Sequence, residues 1–429
     1  NVKNDDVDFE PRLRELISYS ETPNPFDEKE TKALIEGINN CKILDPACGS
    51  GAYPMGILHK MVHLLQKLDP ENKLWKALQR QKAMEETEAA FNIGDKEERG
   101  KRLAEINDVF ENNASDYGRK LYLIENCIYG IDIQPIAVQI SKLRFFISLV
   151  IDQNKQTSKE NFGIRSLPNL ETKFVAANTL IGLDKPELKS GDMFLQETYE
   201  KIKVLSSELK GVRHKYFSAN NRPEKQKLQG KDKLLRKKIS EQLEKVGYTQ
   251  SNAHKIADFD PYDQNHFANW FEIEWMFGND VIDGFDIVIG NPPFVSYYAR
   301  RSAKLDTATL RYYQKHYDFI TETKLDGKFN TIMFFIEKAC RLSHKKANVF
   351  YIMDVAFNDV PYRYIRKYLL DNTTVKKVIT GLSDFENVYS DQVLLQFSNT
   401  KHIIEATKNV EYFKGINTSP LFIFDQNIW

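Results

Sequence analysis

Phe285-Asp286-Ile287-Val288-Ile289-Gly290-Asn291-Pro292-Pro293-Phe294 is the stretch whose reading decides the fold. Its apolar run, interrupted by one Asp, predicts a strand buried on both faces, as in a parallel sheet. Two prolines end it, because neither can donate a ladder hydrogen bond. Asn291 therefore falls at the carboxyl end of a central strand, the edge at which open α/β sheets bind ligands. The Asn291 side-chain carbonyl and the Pro292 backbone carbonyl form a close pair of acceptors, which suits a planar amino group with two N–H donors. Phe294 offers a flat face for a ring, a contact worth about 1–3 kcal/mol for a nucleic-acid base. An amino group conjugated to a ring is a weak nucleophile. Holding both of its N–H groups favours a more tetrahedral nitrogen and frees the lone pair for attack. The competing reading is a strand followed by an ordinary Pro-Pro turn.

Upstream, Ile43-Leu44-Asp45-Pro46-Ala47-Cys48-Gly49-Ser50-Gly51-Ala52 predicts a short strand, a Gly-rich turn and a helix with apolar positions Met55, Leu58, Met61, Val62 and Leu65. Gly49 and Gly51 let the backbone take φ > 0 or approach a ligand closely, and the helix N-terminus behind them favours a negative group. The spacing is neither G-x-G-x-x-G nor a P-loop, so a purely structural turn is the alternative. A second strand, Cys127 to Asp132, ends in an acid that can accept ribose hydroxyls or cap the next helix. That helix carries Ile136, Ile140, Leu143, Ile147 and Val150 on one face. A third strand, Phe174 to Leu180, contains Asn178, which suits either the edge of an adenine or a turn.

These strands alternate with helical patterns, so the fold class is α/β with a mostly parallel, twisted sheet. Residues 1–41 read as an N-terminal helical segment, with Asp27 and Glu30 as a capping box for a helix over about Asp27 to Ile38. The core spans 42–400 and is interrupted by helical insertions at about 67–120 and 185–270, too long for plain crossovers. The second insertion is rich in Lys and Arg, including Arg213, Lys227, Lys231, Arg236 and Lys238, above helically spaced Leu228, Leu234, Leu235, Ile239 and Leu243. Such a face contacts phosphates or is simply solvated. Past Phe294, basic and aromatic residues interleave from Tyr297, Tyr298, Arg300 and Arg301 to Tyr312, Tyr313, Lys315 and His316, as in a loop that grips a nucleic-acid backbone. A helix over about Thr331 to Leu342, strands at Val349–Met353, Val375–Ile379 and Val393–Phe397, and a last strand near His402 follow. The close spacing of the later strands predicts a terminal β-hairpin.

The 429 residues have no formal net charge and 41% hydrophobic composition, a soluble globular balance. No apolar run reaches the roughly 18–20 residues of a membrane span. Four scattered cysteines without a C-x-x-C pair argue against a disulfide framework or a zinc site and fit a reducing, cytoplasmic setting.

Asp45-Pro46-Ala47-Cys48-Gly49-Ser50-Gly51 followed by Asn291-Pro292-Pro293-Phe294 resembles the N6-adenine DNA methyltransferases, in particular the methyltransferase portion of type IIG-like restriction–modification enzymes, over roughly residues 18–400. The resemblance implies a Rossmann-like fold that uses S-adenosylmethionine (SAM) and acts on double-stranded DNA. It implies that Asp45, Pro46, Ala47, Gly49 and Gly51 surround the methionine part of SAM, that Asp132 and Ile133 meet its ribose side, and that Asn178 meets its adenine. Asn291, Pro292 and Pro293 would hold the target amino group. Phe294 and Phe385 would stack on a flipped base, with Tyr297, Tyr298, Arg300 and Arg301 nearby on DNA. Thr22-Pro23 matches a Tyr-Thr-Pro element near the cofactor, with Glu21 in place of the Tyr. No metal is implied. A full-length chain of this kind would add a nuclease and a target recognition domain, toward which 401–429 would lead. No Pro-Asp dipeptide occurs, and Glu30-Thr31-Lys32 is too generic for a nuclease site. Competing expectations are RNA adenine or protein glutamine methylation, a nicotinamide-dependent dehydrogenase, and a DNA-binding module without catalysis.

Overall fold

The run 285–290 is a strand, β4 (Phe285–Gly290), at the middle of a nine-stranded sheet. The computed structural model describes residues 9–91, 115–155, 157, 162, 168–186, 193–219, 221–278, 281–297, 306–321, 329–382, 391–400, 409–415 and 419–426. These form two compact units, one of residues 1–41, 54–128 and 142–170, the other of 42–53, 129–141 and 171–429.

The second unit carries the sheet. Its strands are β1 (Ile43–Asp45), β2 (Ile128–Asp132), β3 (Phe174–Ala176), β4, β5 (Ser343–Asp354), β6 (Thr374–Leu382), β7 (Gln392–Ser398), β8 (Asn409–Lys414) and β9 (Phe422–Asp425), in the order β3-β2-β1-β4-β5-β7-β6-β8-β9. β2 runs parallel to β3, β1 to β4 and β4 to β5, with Val288 opposite both Leu44 and Val349. β7 lies antiparallel between β5 and β6. This is the Rossmann-like α/β architecture expected, with the later hairpin in place. The sheet continues further than the sequence suggests: β8 pairs parallel with β6, and β9 antiparallel with β8. The expected last strand near His402 lies outside the described residues; the next described strand after β7 begins at Asn409.

The first unit is helical: α1 (Phe9–Ile17), α2 (Glu28–Asn40), most of α3 (Ala52–Leu68), α4 (Lys73–Phe91), α5 (Ser115–Asn126) and the second half of α6 (Pro135–Val150). The capping box at Asp27 and Glu30 is present, and Arg12 on α1 pairs with Glu30 at 2.9 Å. The apolar stripe of α6 shares a face but points outward, with Ile136 66% and Leu143 55% exposed, while Val138, Phe145 and Leu149 are buried. Periodicity reveals a face, not which side of it meets the core.

The second insertion is a helical hairpin, α7 (Met193–Ser218) and α8 (Arg222–Lys245), followed by α9 (Gln250–Asp258). Leu235, Ile239 and Leu243 are buried as expected, but Leu234 is exposed. Arg213 and Arg236 do not belong to an outer basic face. Both are buried on the carboxylate of Asp232, at 2.9 and 2.6 Å. The remaining helices of ten residues or more among the described residues are α10 (Thr307–His316), α11 (Thr331–Leu342) and α12 (Arg363–Asn372). Among the described residues no helix is long and apolar enough to cross a membrane.

Candidate active site

The carboxyl ends of β3, β2, β1 and β4 lie side by side, and the turns that leave them form the candidate site. After β1, Asp45 is buried and its Oδ1 accepts from the Ala47 amide at 3.1 Å. The Gly-rich turn closes with the Gly51 amide donating to Cys48 O at 2.8 Å. Gly49 and Gly51 sit at φ +53° and +82°, a region that L side chains avoid. A Cβ on Gly51 would lie 2.8 Å from Ser141 Oγ on α6, whereas the space beside Gly49 is open. The turn is thus packed on one side and open on the other.

Asp132 at the end of β2 is shared between the two readings of it. Its Oδ2 accepts from Gly49 N and its Oδ1 from Gln134 N, both at 2.9 Å. The carboxylate therefore starts α6 and also fixes the glycine turn, and as a half-exposed carboxylate it retains lone pairs for hydroxyl donors. Ile133 beside it is 55% exposed. The third strand is shorter than expected. Ala177 leaves it to pair with Ala268, and Asn178 forms a turn by accepting from Leu180 N at 3.1 Å. Thr179 ties this turn to the first one, donating to Pro46 O at 2.7 Å.

β4 places its last residue against Asp45. A Cβ on Gly290 would lie 2.6 Å from Asp45 Oδ1, so only glycine fits there. Asn291 is exposed, Pro292 is buried, Pro293 is exposed and Phe294 is half-buried against the core. Among the described residues neither the Asn291 side chain nor the Pro292 carbonyl has a hydrogen-bond partner.

The aromatic and basic region past Phe294 differs from the expected open loop. Asp306 caps α10 through Ala308 N and Thr309 N, and α10 packs back on the 178–184 segment. Tyr312 Oη accepts from Gly182 N at 2.6 Å, and Lys315 pairs with Asp184 at 2.8 Å. Tyr297 is half-buried and shares a hydrogen bond with the buried Tyr313. Tyr298, Arg300, Arg301 and Phe385 lie outside the described residues. Thr22 and Pro23 belong to the helical unit, where Thr22 hydrogen-bonds Glu15.

Asp45 is the electrostatically unusual group. Burial pushes its carboxyl up to about 8, helped by the nearby charge of Asp132 and opposed by the Ala47 amide. Its Oδ2 is enclosed without a hydrogen-bond partner among the described residues. A carboxyl whose folded value is raised keeps its proton when the unfolded chain has lost it. Its contribution to stability therefore falls as pH rises from about 4 to about 8. Asp45→Asn removes that dependence, so the Tm of the variant minus that of the wild type increases from pH 5 to pH 8. A difference that stays flat with pH would contradict the buried neutral carboxyl.

The family model described as Eco57I restriction-modification methylase matches residues 126–387, more than half of the chain. A candidate type II restriction enzyme and methyltransferase of Methanocaldococcus jannaschii is 21% identical over 92% of this chain and 33% of its own length. Two solved structures are similar at low identity. The modification subunit of a candidate type I restriction enzyme from Vibrio vulnificus is 11% identical, with 95% of this chain and 50% of that one covered and a TM-score of 0.37. The type IIL restriction-modification enzyme MmeI, solved in complex with DNA, is 12% identical, with 93% and 36% covered and a TM-score of 0.41. The chain thus spans about a third of the curated relative and half or less of these two structures.

Proposed function

Because the chain belongs to the Eco57I restriction-modification methylase family, we propose that it transfers a methyl group from SAM to the N6 amino group of adenine in duplex DNA. The observation that carries this reading is the pair of free acceptors, Asn291 Oδ1 and Pro292 O, beside Phe294 and next to the glycine turn. The residues present fit the cofactor on two counts: the turn is open beside Gly49, and Asp45 Oδ2 is a buried polar atom without a hydrogen-bond partner among the described residues. In this reading Asp45, Pro46, Ala47, Gly49 and Gly51 hold the methionine part, Asp132 and Ile133 the ribose side, and Asn178 the adenine.

SAM, when bound, supplies an electrophilic methyl on its sulfonium. The protein's part is to present the nucleophile. Asn291 Oδ1 and Pro292 O each accept one N–H of the target amine, which localises the lone pair on nitrogen and aims it at the methyl. The N–C bond would form as the methyl–sulfur bond of the sulfonium breaks and its sulfur leaves as a neutral thioether, and the surplus proton on nitrogen would pass to water past the Asn291 carbonyl. The base must leave the duplex stack first, at a cost of a few kcal/mol. Stacking on Phe294 offsets about 1–3 kcal/mol of that.

The test offers labelled SAM with duplex DNA, RNA and protein acceptors in parallel. Label in DNA supports the reading, and label only in RNA or protein overturns the substrate. A companion experiment isolates the cofactor. Asp132→Ala is expected to weaken SAM binding about 10–100-fold by calorimetry, the loss of hydrogen bonds to a charged acceptor. Unchanged affinity would refute the ribose assignment.

A further inference from the structure

The segment that follows Asn291 and Pro292 is stitched to the start of α11, and one side chain makes the stitch. Thr331 is buried, 6% exposed. Its hydroxyl accepts from Val295 N at 2.9 Å and donates to Pro293 O. Its own amide donates to Val295 O at 3.0 Å, and Tyr297 N donates to Phe329 O at 2.9 Å. Ser296 pairs with Asn330 in an antiparallel bridge. Residues 293–297 thus form a short ladder with 329–331.

The hydroxyl is the unusual rung. It has one proton and two lone pairs. Here it binds the carbonyl before Phe294 and the amide after it, which fixes the backbone on both sides of that ring. Helix α11 does not need this hydroxyl to begin, because Asn330 caps it by accepting from Ile332 N at 3.2 Å. We infer that Thr331 is a positioning residue for the transfer reaction: its hydroxyl, bound to Pro293 O, sets the direction of Phe294 and holds the preceding Pro292 carbonyl where the target amine must meet it. The inference rests on the methyl-transfer reading of the same site. A displacement of about 1 Å in such a site can cost 10²-fold in rate, so one hydroxyl of this kind has a kinetic signature.

The test compares wild type, Thr331→Val and Thr331→Ser on duplex DNA carrying the sites found methylated in the expression host. Thr331→Val is expected to lower kcat about 10–100-fold with SAM affinity within about twofold, the pattern of an interaction used in reaching the transition state. Thr331→Ser restores kcat to within about threefold. Amide exchange in the peptide covering 294–297 is expected to speed up in Thr331→Val and to return to the wild-type rate in Thr331→Ser. Wild-type kcat or unchanged exchange in Thr331→Val overturns the proposal, and so does an equal loss in the Ser variant. If Thr331→Val fails to fold, Thr331→Cys makes the same comparison, because a thiol of similar size is a weak donor and acceptor. Absence of transfer by the wild type with SAM bound would instead overturn the methyl-transfer reading, and Thr331's role with it; the exchange arm reports separately on the contact.

Discussion

Asn291→Ala is expected to lower kcat by about two to three orders of magnitude, the loss seen when one preorganised polar group is removed from a transition state. The side chain is exposed at the end of β4 and has no partner among the described residues. Truncating it leaves no buried group unsatisfied, so stability should change by no more than about 0.5 kcal/mol. SAM affinity should hold, since the cofactor groups sit on the turns after β1, β2 and β3. The result is read from single-turnover rates beside a SAM titration and a melting curve. Normal turnover would show that Asn291 does not hold the amine. A parallel fall in SAM affinity and Tm would show that it supports the fold instead.

Asp232→Ala carries the largest expected cost in stability, about 3–5 kcal/mol, because it leaves buried cations without their counter-ion. Asp232 is fully buried and accepts from Arg213 Nε, Arg236 Nε and Tyr262 Oη at 2.9, 2.6 and 2.9 Å. Arg213 continues to Trp275 O and Arg236 to Ala257 O. One carboxylate therefore joins α7, α8, the end of α9 and the 273–276 turn. Burial alone would push the carboxyl up, but the two guanidiniums outweigh it and hold it below its ordinary value of 3.8. A depressed folded value means the stabilisation is full above the unfolded value and is lost as pH falls through the folded one. Urea denaturation should show the full deficit near pH 7 and a shrinking one below about pH 4. A deficit under about 1 kcal/mol at neutral pH would contradict the account of a buried counter-ion.

Much of the fold was legible because β4 is a dense apolar run and Asp45, Asp132 and Asn291 punctuate strand ends. The glycine turn and the Asn-Pro-Pro-Phe tetrad were legible for the same reason: local chemistry announces them. What the sequence concealed is tertiary. The Arg residues of the second insertion read as one charged face until Asp232 takes two of them inside. Basic and aromatic residues at 311–316 suggest a gripping loop, yet Asp306 starts a helix there and Tyr312 is committed to Gly182. The stripe on α6 has the expected period, and its outward direction is set by Val138, Phe145 and Leu149 taking the buried side. Thr331 gave only the signal of a helix start, because its partners lie 36 and 38 residues away.

The most direct test of the central claim is nucleoside mass spectrometry of duplex DNA after incubation with labelled SAM and the wild-type chain, with Asn291→Ala beside it. The account predicts labelled N6-methyladenine from the wild type and almost none from the variant. Label on the N4 amine of cytosine would contradict the assignment of the base. N6-methyladenine formed equally by both proteins would contradict the assignment of the site.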